Sequence, residues 1–438
     1  MKFRIKKGKG LNGDITLPGD KSISHRSIML ASLADGKSEI SGFLEGEDCL
    51  ATIQVFQKMG VNISKQKGKF IVEGRGLRGL KKPNSPLDFR NSGTSVRLCS
   101  GVLAAQEFSS TLIGDSSLSS RPMTRITKPL GLMGANTSST EEGTLPIRIE
   151  PVDSLKSIKY SLPVASAQVK SCLLFAGLYS KGITEIEEKI ITRDHTERMF
   201  QQFGIPVDVS HSKSTKLIKI NTVEGINPTN TNICGDFSSA SFFILAALIT
   251  PNSELLLRNV GVNPTRIGFL HALRHMGANI ELQNEIDSFE PTADILVRTS
   301  SLKGITLNAN LVANMIDEMP AFFIAASVAE GITKVKEAKE LRTKESDRLQ
   351  AMSEVLESFG VKFHLEDDGI IIYGLGKTGT FKSAEINSHG DHRIAMAGSI
   401  GSLRSEGESV VLDCLNVNTS FPNFIDVCKE VGINIEKE

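Results

Sequence analysis

The sequence predicts an α/β protein assembled from six copies of one unit, and three observations point there. Six amphipathic stretches each close on a glycine that is followed at once by an extended segment, at Gly60, Gly134, Gly204, Gly277, Gly360 and Gly432. By subtraction these glycines lie 74, 70, 73, 83 and 72 residues apart. Each copy also holds an earlier Ala-rich helix: SISHRSIMLASLADG, NSGTSVRLCSGVLAAQ, SAQVKSCLLFAGLYSKG, SSASFFILAALI, DEMPAFFIAASVAEG and DHRIAMAGSIGSL.

Within a copy the elements run strand, helix, strand, helix, strand. The first helix is apolar on most sides and opens on a cluster of polar residues and glycines, which satisfy the first free backbone N–H groups. The second helix has its own polar entry, as in EGEDCLATI, SSRPMTRITKPL, TRDHTERMF, NPTRIGFLHAL, TKESDRLQAM and SFPNFIDV. It ends at the recurrent glycine, the residue that most readily adopts the left-handed conformation past a helix C-terminus. Stretches with period-2 patterning such as FIVEG and GIIIYG supply the strands.

Function is expected at the helix entries. Free N–H groups and the helix dipole make each N-terminus a ready site for an anion. Four first-helix entries carry residues beyond the needs of capping: Lys21, Ser22 and Arg26; Asn91, Gly93 and Thr94; Ser166 and Gln168; His392 and Arg393. Cations there oppose the dipole, so their recurrence points to a bound polyanion. The second-helix entries add Arg121, Arg125, Arg193, Lys344, Glu345 and Arg348. For any one of them, capping chemistry plus solvated charge is the simpler account; their accumulation favours a ligand.

With 438 residues the chain exceeds the size at which single cores stop growing, so three copies per domain is the expected division, with the helix entry near Asp236 close to the middle. Lys plus Arg and Asp plus Glu both number 50, which argues against a nucleic-acid or membrane-surface partner. The six cysteines form no C-x-x-C pair, and several fall on apolar helical faces, as reduced thiols of a cytoplasmic protein would. The basic opening MKFRIKKGKG leads into no apolar run, and no stretch approaches a membrane span. Gly376-Lys377-Thr378 resembles the end of a P-loop but lacks the glycine five residues earlier, where Ile371 stands. His389 and His392 have no third ligand at a metal-site spacing, so no metal is expected and Asp391 reads as a helix cap.

LPGDKSISHRSIMLASLADG, NSGTSVRL, GDSSLSSRPMTR, SAQVKSCLLFAGL, MIDEMP, ELRTKESDRL, HGDHRIAMA and TSFP, in that order from Leu17 to Pro422, resemble the 5-enolpyruvylshikimate-3-phosphate synthase (3-phosphoshikimate 1-carboxyvinyltransferase) family. The resemblance implies an α/β fold of six βαβαββ repeats in two three-repeat domains, an inside-out α/β barrel of the enolpyruvyl transferase type. One domain is expected over 21–236, the other over 1–20 with 237–438, and the active site in the cleft between them. It implies attack of the 5-hydroxyl of shikimate 3-phosphate on C2 of phosphoenolpyruvate and departure of phosphate. No cofactor or metal is implied, and a cytoplasmic monomer is expected.

Carried over position by position, the resemblance makes Asp317 the proton acceptor, Glu345 the carboxyl serving the vinyl carbon, and Lys21 a contact to both substrates. Shikimate 3-phosphate then meets Lys21, Ser22, Arg26, Ser166, Ala167, Gln168, Arg193, Asp317 and Lys344; phosphoenolpyruvate meets Lys21, Asn91, Gly93, Thr94, Arg121, Gln168, Arg348, His392 and Arg393. Asp317 also stands where it could cap the helix of MPAFFIAAS. Ala167, the TRDH of Thr192 to His195, and Thr419 depart from the best-known pattern and resemble the family's second class, many of whose members resist the phosphoenolpyruvate mimic glyphosate. Two alternatives stay open: a UDP-N-acetylglucosamine enolpyruvyl transferase, which has Lys-Asn in place of Lys21-Ser22 and a Cys in place of Ser116, and a non-catalytic phosphate- or RNA-end-binding protein.

Overall fold

The computed structural model describes residues 1–212 and 215–438. The chain divides into two compact units, one of residues 1–18 with 234–438 and one of residues 19–233, and each holds three repeats.

Besides two short helices, Ser116–Ser119 and Ala309–Asn314, the six repeats among the described residues supply twelve helices: α1 (Lys21–Leu33), α2 (Glu47–Lys58), α3 (Gly93–Leu103), α4 (Thr124–Leu132), α5 (Ala167–Gly177), α6 (His195–Gln202), α7 (Phe237–Ile249), α8 (Gly268–His275), α9 (Met319–Val328), α10 (Arg348–Ser358), α11 (His392–Gly401) and α12 (Phe424–Glu430). Odd numbers are the first helix of a repeat and even numbers the second. The odd helices are buried nearly throughout; α7 and α9 are buried along their whole length, as helices apolar on all sides must be. In the unit of 234–438, α7, α9 and α11 pack against one another, while in the other unit α3 packs against both α1 and α5. Strands such as Thr184–Glu188 alternate buried and half-buried residues.

Each even helix ends as its glycine predicts. Gly60, Gly134, Gly204, Gly277, Gly360 and Gly432 all have φ between 76° and 90°. Gly101 answers a different need. A Cβ there would lie 2.1 Å from the carbonyl oxygen of Cys172, so this glycine lets α3 and α5 approach backbone to backbone.

Five sheets have four strands, in which two parallel strands are followed by an antiparallel pair, and the fifth repeat's sheet has three. The first strand of that repeat is reduced to bridges at Lys303 and Thr306, beside an extra short helix, Ala309–Asn314, which occupies the 83-residue interval. Strands are also exchanged. Asn12–Thr16, which precedes α1, pairs in the fourth repeat's sheet; Thr231–Asn232, which precedes α7, pairs in the first repeat's. The last repeat is completed by Phe3–Ile5, antiparallel to both Ser409–Leu412 and Ile435–Lys437.

Candidate active site

Five of the six odd helices are capped by their own side chains: Asp20 accepts from the N–H of Ile23, Ser92 from Ser95, Ser166 from Val169, Asp236 from Ser238 and Asp391 from Arg393. The fifth repeat is the exception, and it overturns the capping alternative for Asp317. The cap position of α9 is Glu318, whose side chain makes no capping bond, and Asp317 lies before it. The Asp317 carboxylate instead meets Arg348, and Arg393 donates to its carbonyl.

In the unit of residues 19–233, the N-terminus of α3 gathers one connected set. Arg121 donates to the Asn91 side-chain oxygen at 2.8 Å and to the Ser117 hydroxyl at 3.2 Å. Gln168, in the first turn of α5 just after Ala167, donates to the Thr94 hydroxyl at 3.0 Å and accepts from Arg97 Nη1 at 2.5 Å. Gly93 opens α3 between these arginines, and a Cβ on it would stand 3.1 Å from Arg97 Nη1 and 3.2 Å from Arg121 Nη1. Asn91, Gly93, Thr94, Arg121 and Gln168 are therefore brought together. Arg97, passed over in the sequence, joins them; its signal was the i, i+4 spacing from Gly93, which puts both on one helical face.

The N-terminus of α1 forms a second set. Lys21 is ion-paired with Asp48 in the first turn of α2. Arg26 is buried, donating to the Ser22 carbonyl at 2.9 Å, to Thr196 at 2.7 Å and to Ser171 at 2.9 Å, so it ties α1 to α5 and α6. His25 lies one residue earlier, its Nδ1 2.7 Å from Thr52 Oγ1 and its Nε2 3.4 Å from Ser92 Oγ. Burial, with Lys21 and Arg26 nearby, pushes its pKa well below the ordinary value, so the ring is neutral and bridges α1 to the cap of α3. Ser166 caps α5, and Arg193 is half-buried in the loop before α6.

In the other unit the centre is Arg348, the first residue of α10 and fully buried. Its Nη2 lies 2.6 Å from Glu345 Oε2, its Nη1 3.3 Å from Asp317 Oδ1, and its Nε 2.8 Å from Asp391 Oδ2. Burial opposes the Asp391 charge, but the Arg348 guanidinium outweighs it and holds that carboxyl below its ordinary range. One guanidinium thus joins both candidate catalytic carboxyls to the residue that caps α11. Arg393 Nη2 lies 3.8 Å from Asp317 Oδ2, and His392 is buried beside Asp391. Lys344 lies 3.5 Å from Glu340; burial lowers its pKa against the pull of the Glu340 and Asp317 carboxylates. His389 is exposed and 2.6 Å from Glu354, away from His392's role. Among the described residues no group of three or more His, Cys, Asp or Glu is placed to hold a metal ion, and no helix is long and apolar enough to cross a membrane.

A family model described as EPSP synthase (3-phosphoshikimate 1-carboxyvinyltransferase) matches residues 5–428. The chain belongs to the EPSP synthase family. A curated relative from Methylococcus capsulatus, named 3-phosphoshikimate 1-carboxyvinyltransferase, is 49% identical over 99% of this chain and 98% of its own length. The solved EPSP synthase of Acinetobacter baumannii superposes with a TM-score of 0.87 at 47% identity, covering 99% of both chains. The enolpyruvyl transferase NikO of Streptomyces tendae, at 14% identity over 99% of this chain and 98% of its own, has a TM-score of 0.79 and shares the fold. EPSP synthase membership over nearly the whole chain carries the carboxyvinyl transfer for which the family is named, and favours neither the UDP-N-acetylglucosamine alternative nor the non-catalytic one.

Proposed function

We propose that this chain moves the carboxyvinyl group of phosphoenolpyruvate to the 5-hydroxyl of shikimate 3-phosphate. The observation that carries the proposal is the pair of carboxyls, Asp317 and Glu345, held on one buried guanidinium beside Arg393. Asp317 takes the hydroxyl proton as the substrate oxygen attacks C2, and Glu345 gives a proton to C3. In the second half Glu345 recovers a proton from the new methyl group while the C2–O bond to phosphate breaks, and the phosphate leaves with the proton held by Asp317. Each carboxyl ends as it began, which is what a pair working as general base and general acid needs.

Both substrates carry a phosphate and a carboxylate, and arginine is the side chain best suited to grip such groups through paired charged hydrogen bonds. Arg121, Gly93, Gln168 and Asn91 with Thr94 take phosphoenolpyruvate, assisted by Arg348, Arg393 and His392. Ser22, Arg26, Ser166, Ala167, Gln168, Arg193 and Lys344 take shikimate 3-phosphate, and Lys21 reaches both. No cofactor or nucleic acid enters the scheme, and the enzyme works as a cytoplasmic monomer. A phosphate-release assay with both substrates tests it: release that requires shikimate 3-phosphate supports the scheme, and absence of release, or release with a UDP-sugar in its place, overturns it. Light scattering on the purified protein tests the monomer.

A further inference from the structure

The third repeat contains a charge cluster to which the proposed chemistry gives no role. Lys170 from α5, Glu188 at the end of its strand, Glu197 from α6 and Lys216 from the neighbouring strand are all buried. Lys170 Nζ lies 3.1 Å from Glu188 Oε2 and 2.8 Å from Glu197 Oε1; Lys216 Nζ lies 3.1 Å from Glu197 Oε1 and 3.9 Å from Glu188 Oε2. Two cations and two anions therefore close a ring. Burial lowers the Lys170 pKa, but the Glu197 and Glu188 carboxylates outweigh it and hold it above the ordinary value.

Such a ring is a poor device for stability, because apolar side chains of the same volume would serve as well or better. What it does hold is one peptide. Between Glu188 and Glu197 runs the loop that carries Thr192 and Arg193. Thr192 gives its N–H to Glu188 Oε1 at 3.2 Å, its hydroxyl to the same oxygen, and its carbonyl accepts from Lys170 Nζ at 3.4 Å. All three polar groups of the residue before Arg193 are thus bound by the ring. Lys170 sits one turn beyond Ser166 on α5, and Glu197 is in the first turn of α6, whose Thr196 pairs with Ser171 at 2.6 Å.

We propose that the Lys170–Glu188–Glu197–Lys216 ring is a positioning device that fixes the Thr192–Arg193 segment against the start of α5, so that Arg193 and Ser166 meet shikimate 3-phosphate in one geometry. The proposal rests on the role assigned above to Arg193. It makes these four residues positioning residues for one substrate, without effect on phosphoenolpyruvate.

Thr192→Val keeps the side-chain volume and leaves all four charges in place, so it carries the test even where Glu188→Gln fails to fold. Calorimetric binding of shikimate 3-phosphate, KM for phosphoenolpyruvate, saturated kcat and melting temperature are measured on Thr192→Val, Thr192→Ser, Glu188→Gln, Arg193→Ala and Thr192→Val/Arg193→Ala. Losing a hydrogen bond to a buried charge is expected to weaken shikimate 3-phosphate roughly 10-fold in Thr192→Val. Phosphoenolpyruvate KM stays unchanged, Thr192→Ser recovers the affinity, and Thr192→Val costs nothing further once Arg193 is gone. A lowered melting temperature with unchanged shikimate 3-phosphate affinity overturns the proposal, as does an equal loss in the Arg193→Ala background. If Arg193→Ala alone leaves the affinity intact, the assigned role of Arg193 falls and the proposal with it; if that affinity is lost while Thr192→Val keeps it, only the proposal falls.

Discussion

Gly93→Ala adds one methyl at the first position of α3, between two guanidinium groups. The new Cβ would stand 3.1 Å from Arg97 Nη1 and 3.2 Å from Arg121 Nη1, against an ordinary contact of about 3.5 Å. Each guanidinium must therefore retreat by about 0.3–0.4 Å, and neither is loose. Arg121 is committed to Asn91 and Ser117, and Arg97 to Gln168 and the Pro122 carbonyl. A 1 Å misplacement of a substrate-holding group costs on the order of 10²-fold, so a third of that costs about 3–5-fold in kcat/KM for phosphoenolpyruvate. Glyphosate is longer than phosphoenolpyruvate and, bound in the proposed phosphoenolpyruvate site, would meet the methyl itself; overpacking of this kind is expected to raise its inhibition constant roughly 10–100-fold. The melting temperature should not fall, because alanine is favoured over glycine in a helix by up to about 1 kcal/mol. Steady-state kinetics with varied phosphoenolpyruvate, glyphosate inhibition constants and melting curves on both proteins make the comparison. Equal inhibition constants and equal KM values would refute the reasoning, since the methyl would then border no part of the ligand site. A wild type that glyphosate fails to inhibit would refute Gly93 as the governing residue.

Asp317→Asn and Glu345→Gln are each expected to lower kcat by roughly 10²–10⁴-fold, with shikimate 3-phosphate affinity by calorimetry changed far less; near-wild-type turnover in Asp317→Asn would move the base elsewhere, with Lys21 the next candidate. Arg121→Ala and Arg393→Ala should chiefly raise the phosphoenolpyruvate KM, and a pure kcat loss would contradict their role as anion grips. Stability should depend on acid in a definite sense. Burial raises the pKa of Glu197 and of Asp391, but Lys170 with Lys216, and Arg348, outweigh it and leave both below their ordinary values. Their contribution is then fully present above their unfolded pKa of about 4 and is lost as pH falls through the lower folded values. Melting temperatures from pH 7 to pH 3 check this, and a flat profile down to pH 3 would contradict it.

The signals that could be read in the sequence are local ones. A glycine past a helix C-terminus and a polar entry before an apolar run are each decided within a few residues, so six repeats and twelve helices were legible. Strands of two residues were not: Leu87–Asp88 and Thr231–Asn232 acquire meaning only beside partners far along the chain. At the site, Asp391 was legible as a cap because its partner is two residues away, yet its bond to Arg348 spans 43 positions and left no trace. Asp317 reads as the proton acceptor through the resemblance, with helix capping as the alternative, and only the position of Arg348 shows where its carboxylate goes. Lys170 stands in an otherwise apolar helix, its two carboxylates lie 18 and 27 residues on, and no pattern within the helix announces them.

The strand Phe3–Ile5 completes a sheet whose other members are the last strands of the chain, and Lys2 exchanges backbone hydrogen bonds with Glu438. During synthesis on the ribosome Phe3–Ile5 emerges long before Ser409–Leu412 and Ile435–Lys437 and must wait for them before it can pair. Residues 19–233 face no such delay, because every strand of their three sheets lies within that span. The nascent chain can therefore finish folding residues 19–233 while Phe3–Ile5 is still unpaired, with an exposed strand edge prone to aggregation. Refolding from denaturant, where all of these strands are present from the start, removes that order of events and is expected to follow a different course.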